Sequence, residues 1–97
     1  MASSKLSLKF RIFKNNELVG YSELNDAVIK IGKVPSAHLH INDESVSRMH
    51  AVVEVLETTP YIIDLGSTRG TFVNGTKVNK AKLAHGDEIQ IGDMRLE

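Results

Sequence analysis

Apolar and polar residues alternate with period two through the opening of the chain. Leu6, Leu8, Phe10 and Ile12 are interleaved with Ser7, Lys9 and Arg11, a pattern that buries one face of an extended strand and wets the other. Shorter runs rich in β-branched residues follow at Val28–Ile31, Leu39–Ile41, Ala51–Leu56, Tyr61–Leu65, Thr71–Val73 and Glu88–Ile91. No segment holds a helical period over a useful length. Turn formers punctuate the runs at Asn15-Asn16, Gly66-Ser67, Asn74-Gly75, Gly86-Asp87 and Gly92-Asp93. Asn74-Gly75 is the strongest hairpin signal, because it sits between Phe72-Val73 and Lys77-Val78 and both residues tolerate the positive φ of a type I′ turn. Many short strands joined by tight turns, without helices, predict an all-β, antiparallel sandwich. The chain closes on IGDMRLE directly after a turn, so its last strand is expected to be barely begun, and the sequence reads as a domain excised from a longer protein.

Length and charge narrow the function classes. The 97 residues make one domain, 1–97, with a small single core and no room for a second module. Lys+Arg and Asp+Glu each number 12, a formal net charge of +0, so no whole-molecule field draws a polyanion and nucleic acid is not an expected partner. Anion recognition must then be local. The absence of cysteine excludes a disulfide framework and a thiolate metal site, and suits a reducing compartment. The start, MASSKLSLKF, lacks an apolar signal core, and no run approaches the roughly 20 apolar residues of a membrane span. A soluble, cytoplasmic domain with no membrane partner and no cofactor is expected. The oligomeric state is not set by the pattern.

A sandwich keeps its chemistry in loops. Three of them carry more polar residues than turns require: GKVPSAH from Gly32, DESVSRMH from Asp43 and GSTRGT from Gly66. They offer Lys33, Ser47, Arg48, His50, Ser67, Thr68 and Arg69, an inventory of cations and hydroxyls suited to binding an anion. Plainer roles compete for several of these. On spacing alone Ser47 reads as a turn residue bonding its own backbone, and His50, entering an apolar strand, as a hydrogen-bonded structural histidine. His38 and His40 share a strand face at i, i+2, but no third ligand stands nearby, so solvated positions and no metal site are expected. A hydrolase triad of Ser47, His50 and Asp64 lacks a G-x-S-x-G elbow, so no catalytic residue is expected. Asp64 is expected to satisfy turn N–H groups, and Lys77, Lys80 and Lys82 to protect strand edges.

The motifs IGK, VSRMH, IIDLGSTRGTFVNG and GDEIQIG, in that order over roughly residues 29–92, resemble the forkhead-associated (FHA) domain. That family's pattern runs Gly-Arg, Ser-x-x-His, a Ser/Thr-Asn-Gly turn and a late Gly-Asp. The resemblance implies a β-sandwich of about eleven strands whose loops at one end bind a phosphothreonine in a partner protein, a kinase substrate, for signalling or regulation. It places Lys33 at a phosphate-contacting arginine, Ser47 at a phosphate-binding serine and Arg48 at a variable phosphate-facing position. Thr68 matches the turn residue near the phosphothreonine, and Arg69 the asparagine that holds the ligand backbone just after it. Gly32, His50, Gly66, Gly70 and Asn74 fall to structural support of the site, and Val34–Ala37 to a variable loop that reads flanking residues. Two positions depart from the pattern. Lys33 keeps the charge without the planar fork, and Arg69 donates only, where an asparagine also accepts. These departures sustain an alternative, an FHA-like scaffold that binds an unphosphorylated partner surface.

Overall fold

Alternation of side chains needs a second layer to cover the apolar face, and the computed structural model supplies it as two packed sheets. It describes residues 3–97, with side chains from Ser7 onward, so the inward position expected for Leu6 lies outside the described side chains. Eleven strands follow in chain order: β1 (Ser3–Lys14), β2 (Glu17–Asp26), β3 (Val28–Gly32), β4 (Leu39–His40), β5 (Ala51–Leu56), β6 (Thr59–Asp64), β7 (Thr71–Val73), β8 (Thr76–Val78), β9 (Lys80–Lys82), β10 (Ile89–Ile91) and β11 (Met94–Leu96). One sheet has the order β2-β1-β11-β10-β7-β8 and the other β4-β3-β5-β6-β9. Between them lie Phe10, Ile12, Ile29, Ile31, Leu39, Val53, Ile62, Ile89, Ile91 and Leu96, the inward members of the alternating runs.

Four features differ from the sequence pattern. First, β3 and β4 pair in parallel, Ile31 with Leu39 and Gly32 with His40, while the other pairings among the described residues are antiparallel. The intervening loop is long enough to bring β4 back alongside β3. Second, β2 is a full strand of 10 residues. A register shift pairs Ile12 with Gly20 but Phe13 with Leu18, so Val19 is a bulge that destroys the alternation by which a strand is recognised. Third, β9 carries too little apolar surface in Lys80-Ala81-Lys82 to announce itself. Fourth, β11 is only three residues long, in line with a last strand barely begun, yet it is interior, paired on one side with β1 and on the other with β10.

The sheet edges fit the lysine pattern, since β8 with Lys77 and β9 with Lys80 and Lys82 are both edge strands. The Asn74-Gly75 turn has φ of 51° and 85°, the left-handed pair of a type I′ hairpin. Following the registers, the β3–β4, β4–β5, β6–β7 and β10–β11 connections gather at one end of the sandwich, and the β7–β8 turn points the other way.

Candidate functional site

Two backbone segments meet at the end of β3. The Lys33 N–H donates to the Ser47 carbonyl at 3.1 Å, the Val34 N–H to the Arg48 carbonyl at 3.1 Å, and the His50 N–H to the Ile31 carbonyl at 3.0 Å. Gly32 makes this approach possible, because a Cβ there would collide with the Arg48 carbonyl oxygen. The His40 Nε2 donates to the Lys33 carbonyl at 3.0 Å, and the His38 Nδ1 accepts from the Lys30 N–H at 3.0 Å. Both histidines are exposed yet tied to backbone, where the sequence suggested simple solvated positions.

His50 lies behind this junction with no exposed surface. Its Nδ1 accepts from the Ser47 N–H at 3.1 Å, which leaves the ring proton on Nε2, donated to the Gly70 carbonyl at 2.8 Å. The imidazole thus spans the β4–β5 and β6–β7 loops. A third tie completes the link: the Ser47 Oγ accepts from the Thr68 N–H at 3.1 Å, so its own proton remains available to a ligand. Ser47 therefore bonds a neighbouring loop, not its own backbone. The same contacts dismantle the triad geometry, because His50 holds the backbone N–H of Ser47 and not its hydroxyl.

The β6–β7 loop is wound around Asp64. Its Oδ2 accepts from the Gly66 and Ser67 N–H groups at 3.0 and 3.2 Å, and its Oδ1 from the Ser67 and Thr71 hydroxyls at 2.5 and 2.7 Å. Ser67 Oγ in turn accepts from the Gly70 N–H at 3.0 Å, so Ser67 is consumed by the loop and drops out of the anion-binding inventory. Burial pushes the Asp64 carboxyl up, but the hydrogen bonds from Ser67, Thr71 and Gly66 outweigh it and hold the group below the usual carboxylate range.

These ties bring Lys33, Ser47, Arg48 and Thr68 together on one rim. Lys33 and Ser47 are half-buried, whereas Arg48 and Thr68 are exposed. Neither Lys33 nor Arg48 enters an ion pair among the described residues. The rim therefore offers cationic donors and hydroxyl protons to an oxyanion. Arg69 stands beside it but is turned to Asp93, Nη1 to Oδ1 at 3.2 Å, with both side chains more than half exposed. Asn74 stands apart. It caps the opposite end of β7, about 10 Å of strand away, where its Nδ2 donates to Asp87 and its Oδ1 accepts from the Glu88 N–H. Its expected support of the site is thus corrected to support of the far end, since the hairpin that demands its φ lies there.

A second network was missed in the sequence. Ser45, itself buried, donates its hydroxyl to Asp43 Oδ1 at 2.6 Å and accepts from the Asp93 N–H at 2.8 Å, while Asp43 Oδ2 pairs with Lys14 at 2.6 Å. The Lys14 ammonium, joined by the Ser45 hydroxyl and N–H, holds the Asp43 carboxyl far below the usual range. This staple ties β1 to the β4–β5 and β10–β11 loops. Its local signal was Asp-x-Ser, an Asx-turn pattern; its partners, 29 and 48 residues away, left none.

Residues 29–92 match the FHA domain. The chain belongs to the FHA family. FHA domains are known for phosphothreonine-dependent interactions. This FHA domain is 40% identical over 73 residues to the glycogen accumulation regulator GarA of Mycobacterium tuberculosis, covering 75% of this chain and 45% of that protein. It is 37% identical over 73 residues to the oxoglutarate dehydrogenase inhibitor of Corynebacterium glutamicum, covering 75% and 51%. The chain spans about half the length of these relatives. Among solved structures it is similar to the FhaA FHA domain complexed with the intracellular domain of Rv3910, with a TM-score of 0.81, 27% identity, and 91% and 94% of the two chains covered. It is likewise similar to Mycobacterium tuberculosis EmbR in complex with a low-affinity phosphopeptide, with a TM-score of 0.79, 26% identity, and 91% and 23% covered.

Proposed function

We propose that this FHA domain binds a phosphothreonine-bearing segment of a partner protein, a kinase substrate, through Lys33, Ser47, Arg48 and Thr68, with Arg69 beside the ligand backbone. The observation that carries the reading is the Ser47 Oγ–Thr68 N–H hydrogen bond, which joins the two loops and leaves the serine proton free, beside Lys33 and Arg48, which enter no ion pair among the described residues. A phosphate brings about −1.5 to −2 charge near neutral pH. If two or three charge-assisted bonds contribute about 1.5–3 kcal/mol each, they supply a large part of the roughly 8 kcal/mol of a micromolar complex. Phosphorylation then decides binding. The role needs no reaction step, and relatives named as a regulator and an inhibitor support a binding protein over an enzyme. Cytoplasmic residence goes with that role; no helix among the described residues is long and apolar enough to cross a membrane.

A second reading rests on Arg69. It offers the ligand backbone no acceptor and is engaged by Asp93, which suits a scaffold that docks an unphosphorylated surface. Titration with matched phosphothreonine, phosphoserine and unphosphorylated peptides separates the two. The first reading expects the phosphothreonine peptide to bind at least tenfold more tightly than its unphosphorylated form, and Arg48→Ala to remove about 1–3 kcal/mol of that binding with an unchanged melting temperature. Equal affinity for all three peptides selects the second.

A further inference from the structure

The sheets have four edges, and three are closed to pairing. β8 and β9 are three residues long and carry Lys77, Lys80 and Lys82, and β4 is two residues long. The fourth edge, β2, runs for 10 residues as ELVGYSELND, without lysine, arginine or proline. It exposes Leu18 and Val19 to 55% each and Tyr21 to 57%. Beyond the Val19 bulge, Gly20–Leu24 pairs in unbroken register with Leu8–Ile12 on one side and leaves its other side free.

We propose that the free edge of β2 is a second protein-binding surface, which takes an extended cationic segment of a partner as an added strand. Charge sets the occupant. The strand bears Glu17, Glu23 and Asp26, none in an ion pair among the described residues, and no cation. Its existing neighbour shows what it accepts: β1 sets Lys9 opposite Glu23, Arg11 opposite Tyr21 and Lys14 opposite Glu17. Lys14 is nonetheless drawn away to Asp43, which leaves the Glu17 carboxylate open to an incoming cation. A strand alternating lysine or arginine with apolar residues meets the same carboxylates from the other side, covers Tyr21, and gains main-chain hydrogen bonds along the edge. A second copy of β2 would instead line up carboxylates from both chains along one seam, which like-charge repulsion opposes. β1, β11 and β10 separate β2 from β7, the strand that leaves the phosphate-side loop, so both surfaces can be filled at once.

The probe is a short peptide alternating lysine with valine and phenylalanine, compared with its glutamate counterpart by fluorescence anisotropy, with amide hydrogen exchange to locate it. The cationic peptide is expected to bind at least tenfold more tightly than the acidic one and to slow exchange within Gly20–Leu24. Tyr21→Lys should weaken it at least tenfold, and Glu23→Lys should shift preference toward the acidic peptide. Both variants are surface changes, and unchanged melting would show that the fold persists. Equal or absent binding of the two peptides overturns the proposal, as does protection confined to residues outside β2. Sedimentation showing a dimer that Tyr21→Lys dissolves also overturns it, in favour of self-pairing.

Discussion

At the far end of the sandwich, Asn74 and Asp87 bond each other and nearby backbone; at the loop end, Asp64 and His50 bond the loops while the Lys33 and Arg48 charges enter no ion pair among the described residues. Asn74 donates to one Asp87 oxygen, the Ala84 N–H donates to the other, and the Asn74 oxygen takes the Glu88 N–H, a circuit in which each of these polar atoms already has a partner. Around Ser47, by contrast, His50, Asp64 and Gly32 carry the architecture, and Lys33 and Arg48 are left without ion pairs among the described residues. The difference is a division of labour. Structural residues of a binding site can be told from ligand residues by asking which polar atoms the fold has already engaged.

Removing the imidazole that joins the two loops should have the largest effect. His50→Ala leaves the Ser47 N–H and the Gly70 carbonyl without partners and opens a buried void, at a cost of about 3 kcal/mol in stability. For a domain of this size each kcal/mol lowers the melting temperature by roughly 4–8 °C. Phosphopeptide affinity should fall with it, because the two loops lose their common anchor. Asn74→Ala, measured beside it by thermal melting and peptide titration, should cost about 1–2 kcal/mol in stability and leave affinity unchanged. If Asn74→Ala weakens binding as much as His50→Ala does, the two ends are coupled and the division fails.

How much of this was legible follows from where each interaction reaches. Strands that obey period two, such as β1 and β5, declare their inward faces residue by residue, and the loops between them stand out by contrast. β2 was hidden by one bulged residue, and β11 by its three-residue length, although its place between β1 and β10 makes it central. Within the loops, charge and hydroxyl content marked out Lys33, Ser47, Arg48, Thr68 and Arg69 together with Ser67 and His50, and only the ordered FHA-like motifs separated binding candidates from supports. That Ser67 turns its hydroxyl inward to Asp64 and Gly70, each three residues away, depends on the backbone path of the loop, and that Asn74 serves the far end depends on Asp87, 13 residues on; residue type encodes neither.

A sharper test concerns Arg69, with an expected effect below about 1 kcal/mol, as befits an exposed ion pair. Arg69→Asn restores an amide donor and acceptor but releases the Asp93 carboxylate beside the phosphate. The double variant Arg69→Asn, Asp93→Asn removes that repulsion and should bind a phosphothreonine peptide more tightly than the single variant. The gap between them should close as salt shortens the Debye length below about 8 Å. A gap that persists at high salt would locate the effect in backbone contacts and not in charge.

The smallest effect is expected from acid. The Asp64 carboxyl is held below its unfolded value, so its contribution is present above about pH 4 and is lost as pH falls through the folded value. Asp64→Asn should therefore be less stable than the parent at neutral pH, with the difference in melting temperature narrowing as pH falls below about 4. A difference that stays constant on acidification would mean that the side-chain shape at Asp64, and not its charge, holds the loop.

The Ser47–Thr68 hydrogen bond carries a consequence in time as well as in energy. With both loops already joined before any ligand arrives, encounter needs no slow ordering step, and the association rate should lie in the ordinary docking range of about 10⁵–10⁷ M⁻¹s⁻¹. Ligands that differ in their fit to Lys33 and Arg48 would then arrive equally fast and differ in how long they stay. If the proposed function holds, the pre-joined loops would make this rim a timer, with residence set by how many of the free donors a ligand engages.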